Sequence, residues 1–455
     1  MILSLSEFQS RTGLMKFLHN ALLLLSLSMF SFVSHTKVRD AINTDYESHL
    51  KSLFVHFHQN PELSMAEVKT AKRIAQELKS VGFEVHEGIG KTGIVAILKN
   101  GDGPTVMMRA DMDGLPIKED SGLSYASSAE QTDPFTNKLS PVMHACGHDV
   151  HITGLVGTAR YMQANLSTWS GTLMLIAQPA EERIMGARKM MEDGLWQRFG
   201  KPDYALALHV FSEGETGKID VSAGPVSAGS TSVDIIVHGV GTHGAYPQFG
   251  KDPVVLGSQI VMALQTLVSR ELGPKEPGVV TVGAFNSGLK HNVISDKAHL
   301  QLTVRYSSLE TKAKLLNGIT RIAENMGRAA GLPDNKLPTV MISKEEDTPP
   351  QINDATLTAR LESMWRGKYG PDNIESTVDD GMGAEDFPFF VTGHDIPSVY
   401  WSIGGTPKAS FDAQAKGGPA VTSHHSPFFK IDADGSVPFA VETTVAALTE
   451  LMPRN

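Results

Sequence analysis

The feature that most constrains the fold is a series of short apolar runs that alternate with segments of helical periodicity along most of the 455 residues. The runs occupy residues 93–98, 105–108, 171–178 and 204–210, and helical patterns lie around them at residues 45–80, 150–166 and 187–193. Short apolar runs of this kind are typical of strands that helices cover on both faces. The pattern therefore predicts an α/β fold with a buried, largely parallel sheet.

The pattern changes after about residue 224. Residues 230–238 alternate between apolar and polar side chains, as a strand with one exposed face does. The elements predicted from there to residue 343 follow the order strand, helix, strand, strand, helix, strand, which is the split βαβ, ferredoxin-like arrangement. The α/β pattern then resumes. We therefore predict a catalytic domain in two parts, residues 39–224 and 346–455, and an inserted α+β domain at residues 225–345.

The charge distribution argues against nucleic-acid binding. The chain has 40 basic and 50 acidic residues, a formal net charge of −10, and it contains no long basic run with interleaved aromatic side chains. We expect a small-molecule substrate instead.

The N-terminal residues depart from the pattern of the rest. Residues 21–33 are uncharged and mostly apolar, they follow Met15 and Lys16, and they are too few to span a bilayer comfortably. This predicts a signal peptide within the first 38 residues and export to the periplasm or the outside. An uncleaved anchor and a cytosolic protein are the alternatives.

Residues 143–151 (MHACGHDVH) place three histidines, one cysteine and one aspartate close together. Cys146 and His148 are two residues apart, so in an extended or looping backbone their side chains point to one side. A thiolate and an imidazole so placed form half of a transition-metal site, and Gly147 allows tight curvature between them. The alternatives are incidental loop histidines, a buried inert cysteine, and a cysteine nucleophile with a histidine base.

Two adjacent carboxylates, Glu181 and Glu182, follow the run at residues 171–178. One could bind a metal while the other accepts a proton from a metal-activated water, although a solvated helix N-terminus would also contain glutamates. His209 ends another apolar run, where a buried core histidine is the alternative. His425 follows His424 in a loop, where the pair could also be ordinary surface residues.

These positions together predict a metal centre. Soft and borderline ligands recur mostly where predicted strands end, and sites in α/β sheets gather at the carboxyl ends of strands. Asp111 and Asp113 follow another predicted strand and could orient a ligand histidine. Two motifs of other catalytic classes, G-x-S-x-G and a P-loop, do not occur. The predicted ligands are Cys146, His148, Glu182, His209 and His425.

Several of these segments belong to an ordered series that is characteristic of one family. The series comprises residues 58–64 (HQNPELS), 109–116 (RADMDGLP), 143–151, 178–182 (QPAEE), 241–245 (GTHGA) with 252–253 (DP), 292–294 (NVI), 304–305 (VR), 383–387 (GAEDF) and 425–427 (HSP). With it the chain resembles the amidohydrolase branch of the aminoacylase and carboxypeptidase-like metallopeptidases. That branch includes hippurate hydrolases and indole-acetyl-amino-acid hydrolases. The resemblance covers nearly the whole chain after about residue 45.

The resemblance implies a zinc-exopeptidase-like catalytic domain whose inserted domain acts as a lid and a dimer contact. It implies that the five predicted ligands hold two divalent ions (Mn, Zn, Co or Ni) and that Glu181 is the general base and later the acid. His243 would stabilise the oxyanion across a homodimer. Asn292 and Arg305 would bind the substrate carboxylate, which matches the planar fork of an arginine.

The reaction that the resemblance implies is hydrolysis of the amide bond of an N-acyl amino acid, hippurate or a similar conjugate, by a metal-bound hydroxide. A dipeptidase or aminopeptidase on the same scaffold and a metal-binding protein without catalysis are the alternatives. The chain departs from the family pattern at Gln248, where a histidine is usual, at Ser295, where proline is usual, and at Gly114, where alanine is frequent. Because Gln248 is close in sequence to His243, the preferred acyl group and amino acid stay open.

Overall fold

The computed structural model of the protein describes residues 36–377 and 381–454. The apolar run of the predicted signal peptide lies outside these described residues. Within them, no helix combines the length and the apolar character that crossing a membrane would need.

The helices and strands follow the alternation that the sequence predicts, with some additional short elements. Helical residues 36–45 and a π-helical turn at Tyr46–Leu50 lead into the first helix, α1. The helices are α1 (Lys51–Gln59), α2 (Val68–Ser80), α3 (His148–Ala164), α4 (Gly186–Glu192), α5 (Leu195–Phe199), α6 (Pro253–Thr266), α7 (Leu309–Ala329), α8 (Ala355–Tyr369), α9 (Lys408–Ala415) and α10 (Ala433–Leu451). The strands are β1 (Glu84–Ile89), β2 (Gly93–Asn100), β3 (Thr105–Asp111), β4 (Glu130–Thr132), β5 (Leu139–Pro141), β6 (Gly171–Gln178), β7 (Tyr204–Glu215), β8 (Ile219–Asp220), β9 (Gly224–Ser227), β10 (Gly229–His238), β11 (Thr242–His243), β12 (Gly278–Ser287), β13 (Val293–Ile294), β14 (Lys297–Tyr306), β15 (Thr339–Thr348), β16 (Gln351–Asn353), β17 (Ile374–Glu375) and β18 (Ser398–Thr406).

The larger sheet has eight strands in the order β1-β2-β6-β3-β7-β18-β8-β17. Its centre is parallel, since β3 pairs in parallel with β6 and β7, and β7 with β18. The pairs β1–β2, β2–β6 and β18–β8 are antiparallel, so the sheet is mixed rather than largely parallel. The short turn between β1 and β2 explains the first of these pairs, because only antiparallel strands can be joined by so tight a connection.

Both faces of the larger sheet are buried, as its apolar strands predict. Along β3, Val106, Met108 and Ala110 belong to the core that also contains side chains of α1, α3 and α10. Met107 points to the opposite face and packs in a second core with side chains of α4 and α5. The sheet is therefore the middle layer of three.

Residues 229–348, here called the inserted region, form a second sheet in the order β12-β14-β10-β15. All its pairs are antiparallel. Along the chain, α6 lies between β10 and β12, and α7 lies between β14 and β15. The prediction of a ferredoxin-like arrangement is confirmed. Buried and half-buried residues alternate along β10, and the buried side chains of the sheet share a core with α6 and α7.

Candidate metal centre

Cys146 and His148 lie on either side of the point where α3 begins. Gly147 has φ +86°, and a Cβ there would lie 2.4 Å from Val210 Cγ1, so both the backbone angle and the space require glycine. His148 is the first residue of α3, so the predicted extended or looping backbone stops at Gly147. The two side chains nevertheless converge: Cys146, His148 and Glu182 each offer one ligand atom within 4.8 Å of the others.

The Glu181–Glu182 pair lies on a single 3-10 turn, Glu181–Arg183, just after β6. Ala180 before it and Ile184 after it have left-handed φ values of 49° and 51°, which cost a non-glycine residue about 1–2 kcal/mol each. Buried carboxylates offset this strain, because Glu67 accepts a hydrogen bond from the Ala180 N–H at 2.9 Å. Asp113 accepts from the N–H groups of Glu181 and Glu182 at 3.1 and 3.2 Å. Both glutamate side chains are more than nine-tenths buried, which excludes a solvated helix N-terminus.

His209 lies within β7 rather than at its end, and it is paired in register with Ser402 of β18. Its Nδ1–H donates to the Val210 carbonyl at 2.7 Å, which leaves Nε2 free to bind a metal, 3.6 Å from Cys146 Sγ. The neighbouring β3 pairs with β7 only as far as Ala207, so His209 lies beyond the last paired position, level with Asp111 at the end of β3.

His425 has a left-handed φ of 61°, and its N–H donates to the Ala145 carbonyl at 2.9 Å. This contact brings its Nε2 to 3.4 Å from Glu182 Oε2. The adjacent His424 accepts a hydrogen bond from the Ser212 N–H at 3.1 Å, and its ring centroid is 5.4 Å from that of His209. Of the histidine pair, His425 is therefore the one that contacts Glu182.

In the described part of the chain, two buried ligand atoms face each other without a hydrogen-bond partner. They are His148 Nε2 and Glu182 Oε1, 4.0 Å apart. The other ring nitrogen of His148, Nδ1, is 2.8 Å from the Asp113 carbonyl. Because buried polar atoms almost always have a partner, these two atoms fit a bound cation, and a set of thiolate, imidazole and carboxylate suits a transition metal.

The charges at the centre also favour a cation. Burial, and then the nearby Glu385 and Glu182, raise the pKa of Glu181 well above its ordinary value, and burial raises the pKa of Glu182 to about 7. Burial lowers the pKa of His148, but Asp111 and Asp113 outweigh it and raise the value to about 10. Carboxyl groups are thus crowded and buried at the centre, and a bound cation would favour their charged forms.

The environment of Cys146 bears on the alternative of a cysteine nucleophile. Burial, and then Glu182 and Glu181, raise the pKa of its thiol well above the ordinary value. A nucleophilic cysteine needs the opposite shift, since only the thiolate attacks. The thiol is therefore better suited to be a metal ligand, where the cation displaces its proton.

The two predicted orienting aspartates have different partners. The Asp113 carbonyl orients His148, and the Asp113 side chain holds the glutamate turn. Asp111 Oδ1 lies 2.5 Å from Nδ1 of His151, a residue without a predicted role, and Oδ2 is 3.7 Å from His148 Nε2. His151 also lies within reach of a cation shared with Asp111, His148 and His209. Its Nε2 accepts from the Val210 N–H at 2.8 Å, however, so both its nitrogens are engaged.

A buried ionic network next to the centre was missed by the sequence reasoning. Arg109 is 0% exposed, and its guanidinium contacts Asp111 at 2.6 Å, Glu385 at 2.6 Å and Asp386 at 3.4 Å. Glu181, Glu385 and Asp386 each offer a carboxylate oxygen within 4.8 Å of the others. The available signal was an arginine inside an apolar strand, which requires buried acidic partners, and an acidic pair among aromatic residues at 383–390.

The three predicted substrate-binding residues lie on the inserted region. His243 is exposed on β11, which pairs with β13, and its neighbour Gly244 donates an N–H to the Asn292 carbonyl at 2.8 Å. Arg305 on β14 is half-buried, and its guanidinium donates to the Met382 carbonyl at 3.5 Å. Over residues 36–377 and 381–454, no hydrogen bond or ion pair joins these three side chains to a predicted metal ligand. The structure thus brings the ligands and Glu181 together and leaves the other three outside the cluster.

The chain is similar to proteins of one described family. Residues 107–431 match the description "Peptidase family M20/M25/M40". Hippurate hydrolase of Campylobacter jejuni is 36% identical over 347 residues, which are 76% of this chain and 86% of that protein. Thermostable carboxypeptidase 2 of Saccharolobus solfataricus is 33% identical over 354 residues, 76% of this chain and 83% of that protein.

A solved structure of the YXEP protein of Bacillus subtilis, described as a dinuclear metal binding peptidase from the M20 family, has a TM-score of 0.72 and 26% sequence identity. The match covers 91% of this chain and 99% of that one. By its sequence and its fold, the chain therefore belongs to peptidase family M20/M25/M40.

Proposed function

We propose that the protein is a metal-dependent amidohydrolase that releases amino acids from N-acyl amino acids. Two divalent ions are held by Cys146, His148, Glu182, His209 and His425. The observation that carries this proposal is the pair of buried, unpartnered ligand atoms, His148 Nε2 and Glu182 Oε1, beside the carboxylate of Glu181. The similar hippurate hydrolase and the similar dinuclear metal binding peptidase support it.

When bound, the two ions supply an acidified water and polarise the amide carbonyl of the substrate. Glu181 lies 3.8 Å from His148 Nε2, next to the ligand cluster, and accepts the proton of the attacking water. It then donates the proton to the leaving amine nitrogen. Asp113 fixes the turn that carries Glu181, so the carboxylate does not have to be ordered during the reaction.

We assign recognition of the substrate to the inserted region. Arg305 and Asn292 bind the carboxylate of the amino acid, and His243 stabilises the oxyanion. Burial lowers the pKa of Arg305, whose guanidinium donates to the carbonyl of Met382, in the loop after β17, but has no carboxylate partner in the part of the chain described here. A substrate carboxylate would supply that partner and hold the inserted region closed as a lid.

We further propose a homodimer through the inserted region. Large apolar side chains are exposed on α6, among them Val255 at 54% and Met262 at 71%. His243 is exposed as well and makes no side-chain contact with the metal centre of its own chain, so it is free to serve a partner's centre. In sedimentation experiments we expect a dimer that Met262→Glu weakens.

A carboxypeptidase activity is the second candidate, and the 33% identical thermostable carboxypeptidase favours it. Both reactions release an amino acid with a free carboxylate, so Arg305 suits either. They differ on the other side of the scissile bond, where a peptide replaces the acyl group. A dipeptidase or aminopeptidase would in addition need an acidic partner for the free amine of its substrate.

The decisive experiment is hydrolysis of a panel of substrates by metal-stripped protein to which Mn, Zn, Co or Ni is added back. The panel contains N-benzoyl-glycine, N-acetyl amino acids, indole-acetyl conjugates and dipeptides. We expect metal-dependent release of free amino acid from the acylated members, with Glu181→Gln as the inactive control that still binds metal. Faster release from unblocked dipeptides would favour the peptidase, and no turnover with any metal despite tight metal binding would refute catalysis.

A further inference from the structure

The segment Gly383–Glu385 lies against both connections between the inserted region and the larger sheet. The Ala228 N–H donates to the Gly383 carbonyl at 2.8 Å, one residue before β10 begins. The Thr348 hydroxyl, on the last residue of β15, donates to the Glu385 carbonyl at 3.2 Å. The chain enters and leaves the inserted region at these two points, so a movement of that region displaces this segment.

The side chain of Glu385 is held rigidly from the same segment. Its carboxylate forms a two-pronged contact with Arg109, at 2.6 Å from Oε1 to one guanidinium nitrogen and 3.2 Å from Oε2 to the other. The Tyr400 hydroxyl donates to Oε2 at 3.0 Å, and the N–H groups of Asp386 and Phe387 donate to Oε1 at 2.8 and 2.9 Å. A buried ion pair of this geometry fixes orientation more than it adds stability.

Arg109 carries this contact on to the metal centre. It donates to Asp111 Oδ2 at 2.6 Å, while Asp111 Oδ1 contacts His151 at 2.5 Å. His151 in turn accepts the N–H of Val210, the neighbour of the predicted ligand His209. An unbroken series of buried polar contacts thus runs from Gly383–Glu385 to the backbone beside a metal ligand. A displacement of about 1 Å at such a ligand is enough to change a catalytic rate by orders of magnitude.

We propose that Glu385 is a positioning residue that links the orientation of the inserted region to the geometry of the metal ligands. The proposal rests on the proposed function and deepens it. Arg305, assigned above to the substrate carboxylate, donates to the carbonyl of Met382, the residue before this segment. Substrate that binds Arg305 therefore acts on the same segment that holds Arg109 in place. The metal ligands reach their working geometry when the inserted region closes over the substrate.

Glu385→Gln in the full-length protein tests the proposal, because glutamine keeps the size of the side chain but removes one of the two acceptors for Arg109. We expect kcat to fall at least 10-fold while KM changes less than about 3-fold, and the dissociation constant for Mn²⁺ to rise at least 10-fold. Asp386→Asn is the matched control. Asp386 is equally buried and also contacts Arg109, but its side chain otherwise bonds Gln178 and the Ala187 N–H, not the connections. We expect kcat of this variant to fall less than that of Glu385→Gln.

Thr348→Val supplies the second measurement, since it removes only the hydroxyl that binds the Glu385 carbonyl. We expect kcat to fall about 3- to 10-fold in the wild-type background and less than 2-fold in the Glu385→Gln background. The proposal would be overturned if the losses in kcat from the two substitutions multiplied in the double variant. It would also be overturned if Glu385→Gln lowered the melting temperature and left kcat and Mn²⁺ affinity unchanged. If the wild type hydrolyses no member of the panel, the proposed function fails. Mn²⁺ affinity then decides: weakening in Glu385→Gln but not in Asp386→Asn supports the link, and equal affinities refute it.

Discussion

Replacing Gly147 with alanine should damage stability and metal binding together. The backbone at this residue has φ +86°, a conformation that costs a residue with a Cβ about 1–2 kcal/mol. The new Cβ would also lie 2.4 Å from Val210 Cγ1, a buried and rotationally stiff side chain, and overpacking of this kind costs about 1–3 kcal/mol. We therefore expect the free energy of unfolding to fall by about 2–5 kcal/mol.

The matched control is Gly217→Ala. Gly217 has a similar φ of +89°, but nothing lies within 4 Å of the position of its Cβ, so only the backbone cost of about 1–2 kcal/mol applies. Urea unfolding of metal-stripped protein, followed by tryptophan fluorescence, measures both variants. All four tryptophans (residues 169, 196, 365 and 401) lie outside the inserted region and report on the larger sheet and its helices.

The affinity for Mn²⁺ tests whether the clash with Val210 in the Gly147→Ala variant also disturbs the metal centre. Val210 accepts a hydrogen bond from His209 and donates one to His151, so moving it moves a predicted ligand. We expect Gly147→Ala to bind Mn²⁺ at least about 10-fold more weakly, a loss of about 1.4 kcal/mol, while Gly217→Ala binds it normally. Val210→Ala should cost less stability in the Gly147→Ala protein than in the wild type. Equal losses for the two glycine variants, or unchanged Mn²⁺ affinity, would refute the reasoning.

Four further results are expected. Glu181→Gln should retain metal by elemental analysis and lose about 100- to 10,000-fold in kcat, and wild-type turnover would contradict its role as base. Cys146→Ala should weaken metal binding in calorimetry. Normal metal binding with lost activity would instead favour Cys146 as a catalytic nucleophile. Chelation should lower the melting temperature reversibly, since metal at 100 times its dissociation constant stabilises by about 2.7 kcal/mol. Burial lowers the pKa of His58, but its hydrogen bonds to Asp149 and Glu119 outweigh this and raise the value to about 9. Its stabilising contribution is therefore complete below about pH 6.5 and lost as the pH rises through 9. Wild type should lose stability over that window in urea titrations, and His58→Gln should lose less.

Elements whose burial follows from local periodicity could be predicted from the sequence. The strand at residues 171–178 has the predicted bounds, because a mostly apolar run is followed there directly by a proline. The order of elements in the inserted region was predictable for the same reason, since β10 alternates and α7 has one apolar face. The antiparallel edges of the larger sheet were not, because pairing is decided by which strands pack together.

Side-chain partners far apart in the sequence were the part that could not be predicted. Glu67 holds the turn before Glu181 from 113 residues away, and Arg109 meets Glu385 across 276 residues. In the sequence, each of these residues is a charged side chain among polar and apolar neighbours, and nothing nearby identifies its partner. Their roles arise only when tertiary packing removes water and makes every buried charge find a partner. The position of His209 was more predictable than these contacts. Its strand was predicted from the sequence, and only the continuation of β7 beyond His209 was not.

The position of β18 has a consequence for how the protein is made. This strand lies between β7 and β8, so the larger sheet stays open along β7 until residues 398–406 have left the ribosome. The inserted region needs no such late arrival, because all four strands of its sheet fall within residues 229–348. We expect the inserted region to fold before β18 has been synthesised, while the apolar edge of β7 is still uncovered. Nascent chains with such exposed apolar surface depend on chaperones. A chain terminated before residue 398 would then carry a folded inserted region, but it would lack β18 of the larger sheet and the predicted ligand His425.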